Sequence, residues 1–399
     1  MRQRFRRAAL LAILCIAAGL LGLAAGEIFL RLRTPARVAI PFYNHLSPYV
    51  MFRPQESASF VTSEKYEMSH RRRGVTHFTN EDGFRVPAPG YRIARERPPG
   101  QLRIAVLGGS AVQLGSTWET TLPGALRAVI RNALPGRDVE VINGGIVSAV
   151  SRQSVAQLVF TVAPYQPDVV ILYDGYNDLY VPITYESRPN FPYNFQTMED
   201  AWNAWRDERE DPLWRVILSR SYVFDLLRHA LSHAGPTANT AAQAAQGIYM
   251  GANALRPQQV IDNPALVREH VAAYLANWRT MIALAEVWHY RPVCVLQPTA
   301  GLDRAWASAY IARGFAMRRE DADRWVAAFA LFYQEADRQV RALRAEYPGV
   351  RIVSMAGLYL PAQSSFWDLV HVYDEVNTDI ATRIYQEILP DIQLIGHAE

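Results

Sequence analysis

Three side chains in this sequence could together turn a hydroxyl into a nucleophile: Ser110, Asp368 and His371. Ser110 follows Gly108 and Gly109 at the end of the apolar run 102–107, so its hydroxyl can stand exposed with backbone close by. A serine hydroxyl is a weak nucleophile until a base removes its proton. Histidine is the side chain that ordinarily titrates nearest neutrality, which suits His371 to that task. Asp368 lies three residues earlier, and on a tight loop its carboxylate can hold the second ring nitrogen and fix the tautomer. Attack by such a serine on an ester carbonyl builds an oxyanion, which needs donors already in place. Candidate donors are the Ser110 backbone N–H, the side-chain amide of Asn177, and a backbone N–H from the loop after Asn143-Gly144-Gly145.

These residues are far apart, so the chain must bring them to one edge. From residue 101 onward the sequence alternates between short apolar, β-branched runs and amphipathic stretches. Strands are expected at 102–107, 139–142, 168–173, 293–296 and 350–353. Helices are expected at 121–134, 154–163, 267–288 and 322–347. A last helix starts at Asp374, repeats Val376, Ile380, Ile384 and Ile388 at four-residue spacing, and is expected to stop at Pro390. Strands this continuously hydrophobic, separated by helices, indicate an α/β fold with a central parallel sheet covered on both faces. In such sheets, sites gather where strands end at their carboxyl edge. Gly108-Gly109-Ser110, Asn143-Gly144-Gly145 and Gly175-Tyr176-Asn177-Asp178 all fall at such ends, and Asp368-Leu369-Val370-His371 comes just before the last helix.

Composition narrows the alternatives. The chain has 399 residues, 50% hydrophobic and 20% charged, which is enough for one large domain with appendages or for two domains. The net charge is +3, Lys65 is the only lysine, and no long basic stripe supports nucleic-acid binding. Cys15 and Cys294 form no disulfide framework. No cofactor or metal is expected. The 108–115 stretch lacks Gly-Lys-Ser/Thr and Gly-x-Gly-x-x-Gly, and Ser110 is not in Gly-x-Ser-x-Gly. His45, His70, His77, His229, His233, His270, His289 and His397 have no partner at metal-like spacing.

The amino terminus carries a targeting signal. Arg2, Arg4, Arg6 and Arg7 precede an uncharged run from residue 8 to 26, long enough for a bilayer-spanning helix. The charge before it keeps the amino end cytoplasmic and the rest exported. Residues 1–26 are therefore expected to be a cytoplasmic tip and signal anchor in a bacterial inner membrane, with the remainder on the periplasmic side. A cleaved signal peptide is the alternative, although residues 23–26 offer no clean Ala-x-Ala site. Residues 27–100 read as an irregular lead-in, with a basic cluster Arg71-Arg72-Arg73. Its Asn80-Glu81-Asp82-Gly83 turn is followed by Phe84, expected to dock on the core. The alternation breaks at about 181–265, read as a helical insertion or lid. It has expected helices at 198–209 and 213–229, tryptophans Trp202, Trp205 and Trp214, and a low-complexity stretch at 234–254.

Taken together, the motifs over 101–395 resemble the SGNH (GDSL-type) hydrolase family, and the lead-in Asn80…Gly83-Phe84-Arg85 looks like that of its bacterial members with an amino-terminal anchor. The blocks are Ala105-Val106-Leu107-Gly108-Gly109-Ser110, Val141-Ile142-Asn143-Gly144-Gly145-Ile146-Val147-Ser148, Gly175-Tyr176-Asn177-Asp178 and Asp368-Leu369-Val370-His371, in that order. The resemblance implies a flavodoxin-like three-layer α/β/α sandwich. It also implies Ser110 as nucleophile, His371 and Asp368 as its partners, and an oxyanion hole from Ser110, Ser148 and Asn177. The sequence departs from the pattern at two positions. Gly109 stands where the family usually has Asp, and Ser148 where it has the donor glycine.

The expected activity is that of a serine esterase or deacylase acting on an ester-bearing glycan or lipid. An O-acyltransferase for a cell-envelope polysaccharide would use the same three residues. A non-catalytic glycan-binding protein on the same fold is the third reading. Separately, each motif also has a plain role: Ser110 as a helix cap, Asn177-Asp178 as turn residues, Asp368 and His371 as a surface pair.

Overall fold

The computed structural model describes residues 2–33, 45–47, 51–53, 59–61, 76–192, 253–315 and 317–396, with positions 195, 221 and 223. Two compact units are distinguished: Met1–Ile40 with Glu199–Gly247, and Pro41–Met198 with Ile248–Glu399. In the first, helix α1 spans Arg2–Arg33 and exposes Leu10, Leu11, Ile13, Leu14, Leu20 and Leu21. The Glu27 carboxylate accepts from the Ser221 hydroxyl at 2.9 Å and the Val223 amide at 3.0 Å. Among the described residues no helix is long and apolar enough to cross a membrane. The expected helices at 198–209 and 213–229 lie outside the described residues, positions 221 and 223 apart. So do Trp202, Trp205, Trp214, the Arg71-Arg72-Arg73 cluster and residues 234–252.

The second unit is built on a sheet. Strands β1 (His45–Ser47) and β2 (Met51–Arg53) form a separate antiparallel ribbon. The main sheet contains β3 (Ser59–Val61), β4 (Thr76–Thr79), β5 (Arg85–Val86), β6 (Leu102–Gly108), β7 (Val139–Gly145), β8 (Val169–Asp174), β9 (Arg291–Leu296) and β10 (Arg351–Ser354). Its order is β10-β9-β8-β6-β7-β5-β4-β3. The five strands from β10 to β7 are parallel, and β5, β4 and β3 extend the edge antiparallel. Counted from β6, the parallel strands stand 2-1-3-4-5, the flavodoxin-like order, which reverses between β6 and β8 and opens a crevice at their carboxyl ends.

Successive side chains on a strand point to opposite faces, and the core divides accordingly. Ala105, Leu107, Val170, Leu172, Cys294 and Leu296 meet one layer of helices, built from α5 (Tyr176–Thr184), α6 (Pro257–Asp262), α7 (Pro264–Trp288), α8 (Arg304–Gly314) and α9 (Arg319–Glu346). Ile104, Val106, Val169, Ile171, Val293 and Val295 meet the other, built from α3 (Leu122–Ala133) and α10 (Asp374–Gly396). The helical spacing read from the sequence is used as expected, because Leu122, Leu126 and Ile130 of α3 pack with Ile380, Ile384 and Ile388 of α10. Two shorter helices follow strand ends: α2 (Ser110–Gln113), and α4 (Ser151–Gln157), which widens into a π-helical turn at Leu158–Val162.

The structure departs from the sequence expectation in several places. The lead-in 27–100, read as irregular, supplies the strands β1 to β5. Helices α5, α6 and α8 had not been expected. Helix α10 does not stop at Pro390 but runs to Gly396. Proline removes one helical N–H, yet the final turns stay docked because Asp391 pairs with Arg351 at 2.9 Å and Ile392 is buried.

Glu186 and Asn253 form a parallel bridge, the Ser187 amide donates to Asn253 O at 3.0 Å, and the Leu255 amide donates to Pro182 O at 2.8 Å.

Candidate active site

Strand β6 ends in Gly108, whose φ is +154°; a Cβ there would lie 2.1 Å from the Tyr173 carbonyl oxygen of β8. Only glycine lets the two strands come this close. The chain then turns directly into α2, with Ser110 as its first residue. On the far side of the crevice, the segment before α10 folds back. The Trp367 amide donates to His371 O at 3.1 Å, and the Val370 and His371 amides donate to Asp368 Oδ1 at 2.8 and 2.7 Å.

These two turns bring the three expected residues together. His371 Nδ1 lies 2.6 Å from Asp368 Oδ2, and His371 Nε2 lies 2.7 Å from Ser110 Oγ. An ionised carboxylate only accepts, so Nδ1 carries the proton and Nε2 is left to accept from the Ser110 hydroxyl. Both His371 and Asp368 side chains are 17% exposed, so they are reachable from solvent yet largely desolvated. The Trp367 ring stacks on the His371 ring, with centroids 4.7 Å apart and planes 12° apart.

The expected oxyanion donors flank the serine. Asn177 sits in the first turn of α5, and its Nδ2 donates to Ala149 O at 2.7 Å. A Cβ on Gly109 would lie 2.7 Å from that same Nδ2, so the amide group abuts the backbone just before Ser110. Any side chain at position 109 would therefore displace the Asn177 amide. Ser148 has φ +62°, the left-handed conformation that favours glycine, and immediately precedes Ala149. The structure thus brings Ser110, His371, Asp368 and Asn177 into one cluster and sets Ser148 on the adjoining loop.

Several residues around this cluster had no role assigned from sequence. Asp178, next to Asn177, accepts from the Ser151 hydroxyl at 2.6 Å and from the Ser151 amide at 3.1 Å. Asn277 Nδ2 in turn donates to Ser151 Oγ at 2.8 Å. The turn carrying Asn177 and the loop carrying Ser148 are therefore tied together twice, through Ala149 and through Ser151. Burial pushes the Asp178 carboxyl up to about 7, although the Ser151 hydrogen bonds oppose the shift. Asp174, at the end of β8, is raised well above the usual carboxylate range by burial and by the neighbouring Asp178. It accepts from Tyr274 at 2.8 Å and from Trp278 at 3.1 Å. Adjacency to Asn177 was the only sequence signal for Asp178; Ser151 and Trp367 gave none.

Comparison with known proteins adds little. No protein family model matches the sequence, and no curated protein matches it. Among solved structures, the acetyl xylan esterase AlAXEase is 10% identical over 72% of this chain and 100% of its own, with a TM-score of 0.32. Axe2, an acetylxylan esterase from Geobacillus stearothermophilus, is 11% identical over 72% of this chain and 94% of its own, with a TM-score of 0.32. LAE5, an alpha/beta hydrolase enzyme from the metagenome of Lake Arreo, Spain, is 13% identical over 72% and 94%, with a TM-score of 0.29. Scores this low carry no argument about this chain, whose candidate site stands on its own geometry.

Proposed function

We propose that this chain is a serine esterase or deacylase of SGNH type, acting through an acyl-Ser110 intermediate on an ester-bearing glycan or lipid. The observation that carries the reading is the imidazole of His371 bridging Ser110 Oγ at 2.7 Å and Asp368 Oδ2 at 2.6 Å. Residues 261 apart in sequence reach this geometry, and neither a helix cap nor a surface ion pair requires it.

In this mechanism Ser110 Oγ attacks the ester carbonyl as its proton passes to His371 Nε2. The Asp368 carboxylate stabilises the imidazolium so formed and keeps its orientation. The new oxyanion is met by the Ser110 N–H, the Ser148 N–H and the Asn177 amide, which has a second hydrogen besides the one given to Ala149 O. Collapse of the intermediate expels the alcohol, protonated by His371. Water, deprotonated by the same imidazole, then attacks the acyl group and frees Ser110.

On its sequence, the segment 1–26 is proposed as a single-pass anchor that holds the rest of the chain outside a bacterial inner membrane. The arginines at positions 2, 4, 6 and 7 and the uncharged run 8–26 support this. Alkaline extraction of membranes from expressing cells tests it: release of the full-length chain into the soluble fraction refutes the anchor.

The activity is tested with a serine-directed fluorophosphonate and with short-chain acyl esters, comparing wild type with Ser110→Ala. Labelling and turnover in wild type, both lost in the variant, are expected. Turnover that requires an added oligosaccharide would identify an acyltransferase. Neither labelling nor turnover in wild type would leave a binding protein.

A further inference from the structure

We infer that Arg85, on a strand upstream of the region matching the hydrolase motifs, acts with Asn143 as a positioning residue for Ser110. The inference rests on the serine-esterase reading above. Arg85 on β5 lies opposite Asn143 on β7. Its guanidinium donates to Gln113 O at 2.6 Å, Gly115 O at 2.9 Å and Thr76 O at 2.9 Å. Asn143 Nδ2 donates to Val112 O at 3.2 Å, while its Oδ1 accepts from the Gly145 amide at 3.1 Å. Two side chains on neighbouring strands therefore hold the carbonyls of Val112, Gln113 and Gly115.

The last carbonyls of a helix have no partner within it and must be met when buried. Helix α2 is four residues long, so fixing its end fixes nearly all of it, including Ser110 at its start. The same contacts lead on to the base. The Thr76 amide donates to Ser116 O at 3.0 Å, and the Ser116 amide reaches the Asp374 carboxylate at 3.4 Å. Asp374 opens α10, three residues after His371. The nucleophile's loop and the base's loop thus share one support, centred on Arg85, a residue only 2% exposed. Burial lowers the Arg85 pKa to about 10, while Asp374 and Glu119 oppose the shift, so the group stays charged at neutral pH. Lysine carries a point charge on a flexible stem and cannot meet three carbonyls with a planar fork.

The test compares wild type, Arg85→Lys and Asn143→Ala in steady-state ester hydrolysis and in amide hydrogen exchange. In Arg85→Lys, kcat should fall on the order of 10- to 100-fold with KM unchanged, as displacement of a reacting group by about an ångström would cause. Asn143→Ala should give a smaller fall in the same direction. Amides of residues 110–116 should lose protection in both variants, while those of β8 and β9 keep theirs. Unchanged kcat and unchanged exchange at 110–116 in a folded Arg85→Lys would overturn the inference. Loss of protection across the whole sheet would overturn it too, since Arg85 would then serve only the fold. If Arg85→Lys does not fold, the same two readouts on Asn143→Ala decide. If wild type shows no Ser110-dependent turnover, the esterase reading fails, and exchange at 110–116 alone decides whether Arg85 and Asn143 clamp α2.

Discussion

Replacing Asp368 with Asn changes a single atom's hydrogen-bonding character, and the structure dictates how the amide must respond. Three donors converge on the carboxylate: Val370 N–H at 2.8 Å and His371 N–H at 2.7 Å on Oδ1, and His371 Nδ1 at 2.6 Å on Oδ2. If the new NH2 faced the backbone, two partly buried N–H groups would lose their acceptor, at about 1–3 kcal/mol each. If it faces the imidazole, both backbone bonds survive and only the ring tautomer changes. The second arrangement is favoured by roughly 2–6 kcal/mol before that tautomer change is counted. Nδ1 must then accept, Nε2 carries the proton, and the Ser110 hydroxyl loses its base. The expected fall in kcat/KM is on the order of 10⁴-fold, or about 5.4 kcal/mol at 1.36 kcal/mol per decade. Exchanging a charged for a neutral hydrogen bond should move the thermal midpoint by only about 2–4 °C. Hydrolysis of an aryl acetate at pH 8, alongside thermal unfolding, measures both. An Asp368→Asn protein that keeps more than about a tenth of wild-type kcat/KM, against the 10⁴-fold loss expected, would refute the assignment of the tautomer to Asp368.

Gly109→Ala places a methyl 2.7 Å from Asn177 Nδ2, the end of a side chain that can swing away. The protein should fold normally while kcat drops about 100-fold, the usual loss for one oxyanion donor; an unaltered kcat would remove Asn177 from the hole. Asp178 has a folded-state pKa of about 7, raised by burial, against an ordinary value near 4 when unfolded. Between those values the folded form holds a proton that the unfolded chain has lost, so this group makes stability fall as pH rises from about 4 to 7. Asp178→Asn should therefore gain stability relative to wild type across that window, read as a difference in urea midpoint at pH 4.5 and pH 7. Equal differences at the two pH values would contradict it. Phe84, 1% exposed, packs in the same cluster as Leu107 and Leu172. Phe84→Ala should cost about 3–5 kcal/mol in chemical denaturation if residues 76–86 belong to the domain; a cost typical of the surface would show that they do not.

The sequence disclosed those parts whose physical requirement leaves a local mark. A parallel strand buried on both faces must be continuously apolar, so β6, β7, β8 and β9 could be read directly. Ser110, Asn177 and the Asp368–His371 pair stood out because each puts unusual polarity at such a strand's end or just before a helix. Arg85 stood in the recognisable Asn80…Gly83-Phe84-Arg85 lead-in, but its contacts with the nucleophile's loop could not be read, because its partners are backbone carbonyls, which have no side-chain signature. The strands β3, β4 and β5 are two to four residues long, too short for an alternation to register. Pro390 misled because proline normally ends a helix, and the tertiary contacts of Asp391 and Ile392 that sustain the last turns are invisible locally. Ser148 could be placed in sequence, but its left-handed backbone could not be read from a residue type that rarely adopts it.

The paired residues Glu186 and Asn253 set the departure and return of the chain side by side. Among the described residues no strand of the main sheet lies between those two positions, so a change of length there leaves the order of the described β-strands as it is.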